Sequence, residues 1–207
     1  MNEVNDLFDK AVNEVSFYKP STDGPKKTFR PFIEGEYYGH IVNVQTRIVD
    51  VQGKYRARVY NYAIKVASKN SDMKYVKNGI DNKPEEVSGK EYVGRLIYAK
   101  GVFRFLEPGN GDAFEANPEG NKSYYYFCQA IGLDCKDVTK EIDGEMVTFK
   151  ELPNLTTDAM EGQPVIGVSG FGKPYTNKDG NEVVPFNVKF VKKWEKGRVL
   201  DEDIPFW

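Results

Sequence analysis

The sequence predicts an all-β protein with a minor α component, and three observations carry that class. β-branched and aromatic residues gather in long stretches, among them GEYYGHIVNVQTRIVDV, YRARVYNYAIKVAS and EYVGRLIYAKGVFRFLE. Turn formers such as QGK and NKDG separate them. Helical periodicity is confined to the first seventeen residues and to NKSYYYFCQAIGL.

Residues 1–30 read as an N-terminal arm. Val4, Leu7, Phe8, Ala11, Val12 and Val15 follow the i, i+3, i+4 spacing of one helical stripe, and a basic linker with Pro20, Gly24 and Pro25 follows. The apolar stripe needs cover from the body or from a second copy, so a homo-oligomer is one expectation. Residues 31–195 form the body, which opens with a long hairpin turning at QGK. Alternation along its second strand puts Arg56, Arg58, Tyr60 and Tyr62 on one face and Tyr55, Ala57, Val59, Asn61 and Ala63 on the other.

The stretch 69–90 shows no sustained period and reads as a long, basic-leaning loop. In the third strand Tyr98, Lys100 and Arg104 share a face opposite Ile97, Ala99, Phe103 and Phe105. After the loop PGNGDAFEANPEGN comes a helix, with Asn121 as its cap, Tyr124, Phe127, Cys128 and Ile131 as its apolar stripe and Gly132 as its stop. A small hairpin turns at Asp143 and Gly144, and two strands joined at NKDG finish the body, the last alternating Phe186, Val188 and Phe190 with Asn187, Lys189 and Val191. Hairpin, loop, strand, helix, hairpin is the element order of an OB-fold, a five-stranded Greek-key barrel with a connecting helix, which accepts oligonucleotides on strands two and three.

Charge is uneven. Lys26 to Arg104 holds sixteen Lys and Arg against eight Asp and Glu, while the remainder holds thirteen against twenty-three. A basic surface for a polyanion and acidic segments with another task follow from that split. No apolar run approaches the roughly 20 residues that cross a bilayer, the N-terminus lacks a signal sequence and only two cysteines occur, so the expectation is a cytoplasmic protein with no membrane partner. No GxxxxGK[ST] spacing is present, and His40, Cys128 and Cys135 lack two-plus-two zinc spacing. No nucleophile partner marks the single histidine. No catalytic residue, metal or cofactor is therefore expected, and the chain reads as a non-enzyme.

The strongest constellation is Lys54, Arg56, Arg58, Tyr60, Tyr62, Tyr98, Lys100 and Arg104, on two strands of the expected barrel. Single-stranded nucleic acid needs cations along its backbone and flat rings under its bases, and both are interleaved in this set. The chain ends DEDIPFW: three acids, Asp201, Glu202 and Asp203, run into Ile204, Pro205, Phe206 and Trp207. An apolar, aromatic terminus has somewhere to dock.

DEDIPF resembles the acidic C-terminal tip of bacterial and phage single-stranded DNA-binding proteins, and NKSYYYFCQAIGL, KPYTNKDG and KFVKKW are similar to small phage-encoded members of that class. The resemblance implies an OB-fold that coats single-stranded DNA, in a bacterial host cytoplasm if phage-encoded, with residues 196–207 as a tail that recruits replication and recombination proteins. Pro205 and Phe206 match the family's docking pair; Trp207 is an added residue. Two alternatives stay open: a single-strand annealing or recombination mediator, and a protein-only adaptor or nuclease inhibitor.

Overall fold

The computed structural model describes residues 30–78, 83–142 and 144–195. The chain divides after Pro31, and from Phe32 onward it builds a mostly β body with few helices. The expected N-terminal helix and the tail from Asp201 to Trp207 lie outside the described residues. No helix among the described residues is long and apolar enough to cross a membrane.

β1 (Gly35–Val51) and β2 (Tyr55–Val66) form the long antiparallel hairpin, tightly turned at Gln52 and Gly53, which both have positive φ. β1 also pairs with β9 (Pro164–Phe171), but only over Gly35–His40. Past that point a bulge between Val42 and Gln45 bends the strand away, with Asn43 at φ 54° and the Val44 amide donating to Glu161 Oε1 at 3.1 Å. β1 is thus shared between two parts of one sheet. Its order is β12 (Phe186–Lys193), β9, β1, β2, then β5 (Leu96–Tyr98), with β6 (Val102–Phe105) also on β2. Across the remaining gap a single parallel bridge joins Ala99 to Val188. The sheet is not closed.

The stretch expected as a loop is structured: a 3-10 turn at Ser68–Asp72, a hairpin of β3 (Lys74–Asn78) and β4 (Pro84–Ser88), and a second 3-10 turn at Gly89–Tyr92. Asn70 explains the order. Its fully buried amide donates to the carbonyls of Tyr38 and Ala67 and accepts from the Tyr38 amide, so it replaces a missing ladder. Tyr75 locks the hairpin by stacking on Tyr37 at 4.6 Å and donating its hydroxyl to the Glu36 carbonyl. Such side-chain anchors have no periodicity to betray them in sequence.

α1 (Lys122–Ala130) packs Tyr124, Phe127 and Cys128 into the core, as its stripe predicts, and ends at Gly132 with φ 79°. Asn121 does not cap it. Its Oδ1 accepts from the Phe105 amide at 2.7 Å and its Nδ2 donates to the Phe105 carbonyl, pinning the helix start to the end of β6. β7 (Asp137–Ile142) and β8 (Glu145–Lys150) form the small hairpin, and a one-turn α2 (Thr157–Met160), capped by Thr156, precedes β9. Short β10 (Tyr175–Thr176) and β11 (Glu182–Val183) flank the NKDG turn before β12.

Candidate nucleic-acid interface

The expected face of β2 comes apart in the fold. Tyr60 is 0 % and Tyr62 6 % exposed, so neither ring can receive a base, and the expectation that they stack on nucleic acid is corrected. The cause is α1, which lies over that face. Tyr124 stacks on Tyr60 with centroids 5.4 Å apart, Phe127 packs on Tyr62 at 5.4 Å, and the Tyr124 hydroxyl donates to the Pro153 carbonyl. Burial alone raises the Tyr62 phenol well above its ordinary value. Both rings are core.

The cations nearer the β1–β2 turn are partly spoken for. Lys54 pairs with Glu115 at 3.0 Å, and that hydrogen bond raises its ammonium above the ordinary value. Arg56 lies 3.9 Å from both Asp50 and Asp112 and 4.2 Å from the Phe114 ring centroid. Arg58 and Arg104 are directly opposite one another in register, on the same side of the sheet as Tyr60.

Tyr98 and Lys100 do not join them, because the third strand is interrupted. Tyr98 pairs with Ala63 and Arg104 with Arg58, residues of opposite parity on β2, so the two side chains emerge on opposite sides. The switch occurs at Gly101, whose φ is 92°. A Cβ on it would lie 2.7 Å from Asn61 Oδ1 and 2.9 Å from Val59 Cγ2. Only glycine supplies both the conformation and the close approach. Phe103, which alternation assigned to the core, is carried outward with Tyr98. Arg47, Val59 and Phe103 form one row across three strands on this outer side.

A second irregularity acts on the far wall. β12 carries an extra residue between Val188 and Phe190, so Val188 and Val191 are buried while Phe190 turns out to solvent. Where β6 and β12 diverge beyond the Ala99–Val188 bridge, the sheet leaves a cleft of about 940 Å³ floored by α1. Phe103 stands on one wall, Phe190 on the other and Tyr126 on the floor, 37, 55 and 55 % exposed. Among the described residues four lysines line it, Lys100, Lys189, Lys192 and Lys193, and no Asp or Glu does. Lys192 pairs with Glu36 and Lys193 with Glu195 just outside, while Lys189 donates to the Phe171 carbonyl. Lys100 has no carboxylate partner among the described residues.

Of the eight residues expected at the site, Lys100 lines this cleft and the largely buried Tyr62 reaches its lining, Tyr98 is exposed on the Phe103 side of the sheet, Arg56, Arg58 and Arg104 gather on the other side, Lys54 sits by the turn and Tyr60 is core. Sequence reading missed Phe103, Tyr126, Phe190 and the lysines of β12. The run KFVKKW was the available signal for the last group. Comparison with known proteins finds no matching family model, no matching curated protein and no matching solved structure.

Proposed function

We propose that the chain binds single-stranded DNA without strong sequence preference through the cleft between β6 and β12 and the adjoining outer face of β5 and β6. The observation that carries this reading is the set of three exposed rings, Phe103, Tyr126 and Phe190, inside a cleft that, among the described residues, is lined by four lysines and no carboxylate. Rings offer stacking platforms to any base, at about 1–3 kcal/mol each, and lysines replace the counterions of the phosphate chain. The strand order β12, β9, β1, β2, β5 and the parallel Ala99–Val188 bridge support an OB-type barrel as its scaffold.

In the same proposal Asp201 to Trp207 is a handle for replication or recombination proteins that also competes with DNA for the lysine-lined cleft. Twelve residues from Lys196 to Trp207 span at most about 40 Å when extended, and β12 ends beside the cleft. Deleting residues 201–207 is expected to tighten oligo-dT binding at low salt; unchanged or weaker affinity contradicts that competition. Photocrosslinking with 5-iodouracil oligonucleotides followed by peptide mapping tests the location. Adducts are expected on peptides containing Phe103, Tyr126 or Phe190, and adducts confined to other peptides overturn the assignment.

A further inference from the structure

We propose that Arg58 and Arg104 form a phosphate-oxyanion site on the side of the sheet away from Tyr98 and Phe103. The two arginines face each other across β2 and β6. Like charges directly opposite destabilise a sheet, yet neither forms an ion pair with a carboxylate among the described residues. Among the described residues Arg104 donates only to neutral acceptors, Asn154 Oδ1 at 3.4 Å and the Leu152 carbonyl at 3.3 Å. Arg58 keeps a buried Nε with no hydrogen-bond partner, so the protein supplies no acceptor to offset its charge at that atom.

The contrast with Arg56 is informative. Two residues away on the same strand, it has Asp50 and Asp112 within reach. The ion-pairing carboxylates of this strand thus serve Arg56 and not the pair, while Glu107, Glu119 and Glu151 line the cavity beside Arg104 without pairing with it. Arg58 and Arg104 are both partly exposed, and Ile48, paired with Arg58 from β1, is exposed.

An oxyanion between the two guanidiniums would remove the repulsion. A phosphate monoester fits better than a carboxylate, with close to two negative charges and three strong acceptor oxygens against one charge and two oxygens, whereas an internal diester equals the carboxylate in both counts. Planar arginine forks match that geometry. The phosphate could come from a strand end, an internal diester or the free ion, and only the first two rest on the DNA-binding reading.

The test begins without DNA. Thermal unfolding of the full chain is followed in sodium pyrophosphate and in sodium chloride at equal ionic strength. Wild type is expected to gain stability in pyrophosphate beyond the chloride effect, and Arg58→Gln and Arg104→Gln to lose that gain, with roughly tenfold weaker apparent pyrophosphate binding. In phosphate-free buffer Arg58→Gln is expected to melt no lower than wild type, since it removes an unopposed charge, and this separates loss of a site from loss of the fold. A pyrophosphate effect equal to that of chloride, or one retained in both variants, overturns the proposal. Oligo-dT with a 5′-phosphate or 5′-hydroxyl then finds the source. A 5′-phosphate advantage abolished by Arg58→Gln places a strand end in the site. Equal affinities with the salt slope of the variant reduced by about one place an internal diester there. Unchanged DNA binding beside a lost pyrophosphate effect assigns the free ion.

Discussion

Tyr60 and Phe103 lie almost beside each other on β2 and β6, and strand alternation gives each the wrong role. Tyr60, in a basic stretch that looks built for nucleic acid, is sealed under α1; Phe103, in an apolar run that looks like core, faces the cleft. What separates them is not side-chain type but which surface the connecting helix covers and where a strand gains a residue. Gly101 re-aims the third strand and the Val188–Phe190 bulge re-aims the last, and together these two irregularities put a ring on each wall of one cleft.

The largest expected effect breaks the buried side of this comparison. Tyr60→Ala empties a site stacked by Tyr124 and is expected to destabilise the body by about 3–5 kcal/mol in urea titrations, leaving oligo-dT affinity of the folded fraction unchanged. A loss of affinity with full stability would return Tyr60 to the binding surface. Gly101→Val comes next. It sets a β-branched residue at φ 92° against Asn61 and Val59, with an expected cost of about 1–3 kcal/mol and weakened DNA binding as Phe103 shifts; unaltered unfolding and binding would remove the bulge from the account.

Phe103→Ala sharpens the exposed side, with oligo-dT affinity expected to fall by about 1–3 kcal/mol and the urea midpoint to stay near that of wild type. An alkaline titration probes the buried side. Burial pushes the Cys128 thiol up to about 12 and raises the Tyr62 phenol as well. Native protein therefore holds protons that the unfolded chain releases. Stability from these groups is whole below their unfolded values, near 9 for the thiol and 10 for the phenol, and drains away as pH rises through the folded ones. Phenolate absorbance is expected to show the Tyr62 phenol, read as the step missing from Tyr62→Phe, ionising only with unfolding; its ionisation in the folded protein would contradict the burial. The smallest effect is Lys100→Gln, expected to lower the salt slope of binding by about one.

Much of the architecture was legible because periodicity is a property of exposed and buried faces. The hairpin of β1 and β2, the apolar stripe of α1 with Tyr124, Phe127 and Cys128, and the NKDG turn all follow from spacing and turn chemistry. Asn70 and Asn121 were not legible in the roles they take, because each ties backbone to backbone through one amide side chain, and only the folded path reveals the partners. The candidate site was legible in its chemistry and not in its geometry. Residue type pointed to rings beside cations, but a one-residue slip exchanges the faces of a strand, and the slips at Gly101 and Lys189 exchanged them in two places.

The most direct measurement of the central claim is fluorescence anisotropy of labelled oligo-dT and of a matched duplex, titrated at two salt concentrations with wild type and with a Phe103→Ala, Phe190→Ala double variant. Preferential single-strand binding that weakens with salt and falls at least tenfold in the double variant, whose fold is intact, is the predicted result. Equal affinity of wild type and double variant for the single strand, or no single-strand binding at either salt, would contradict it.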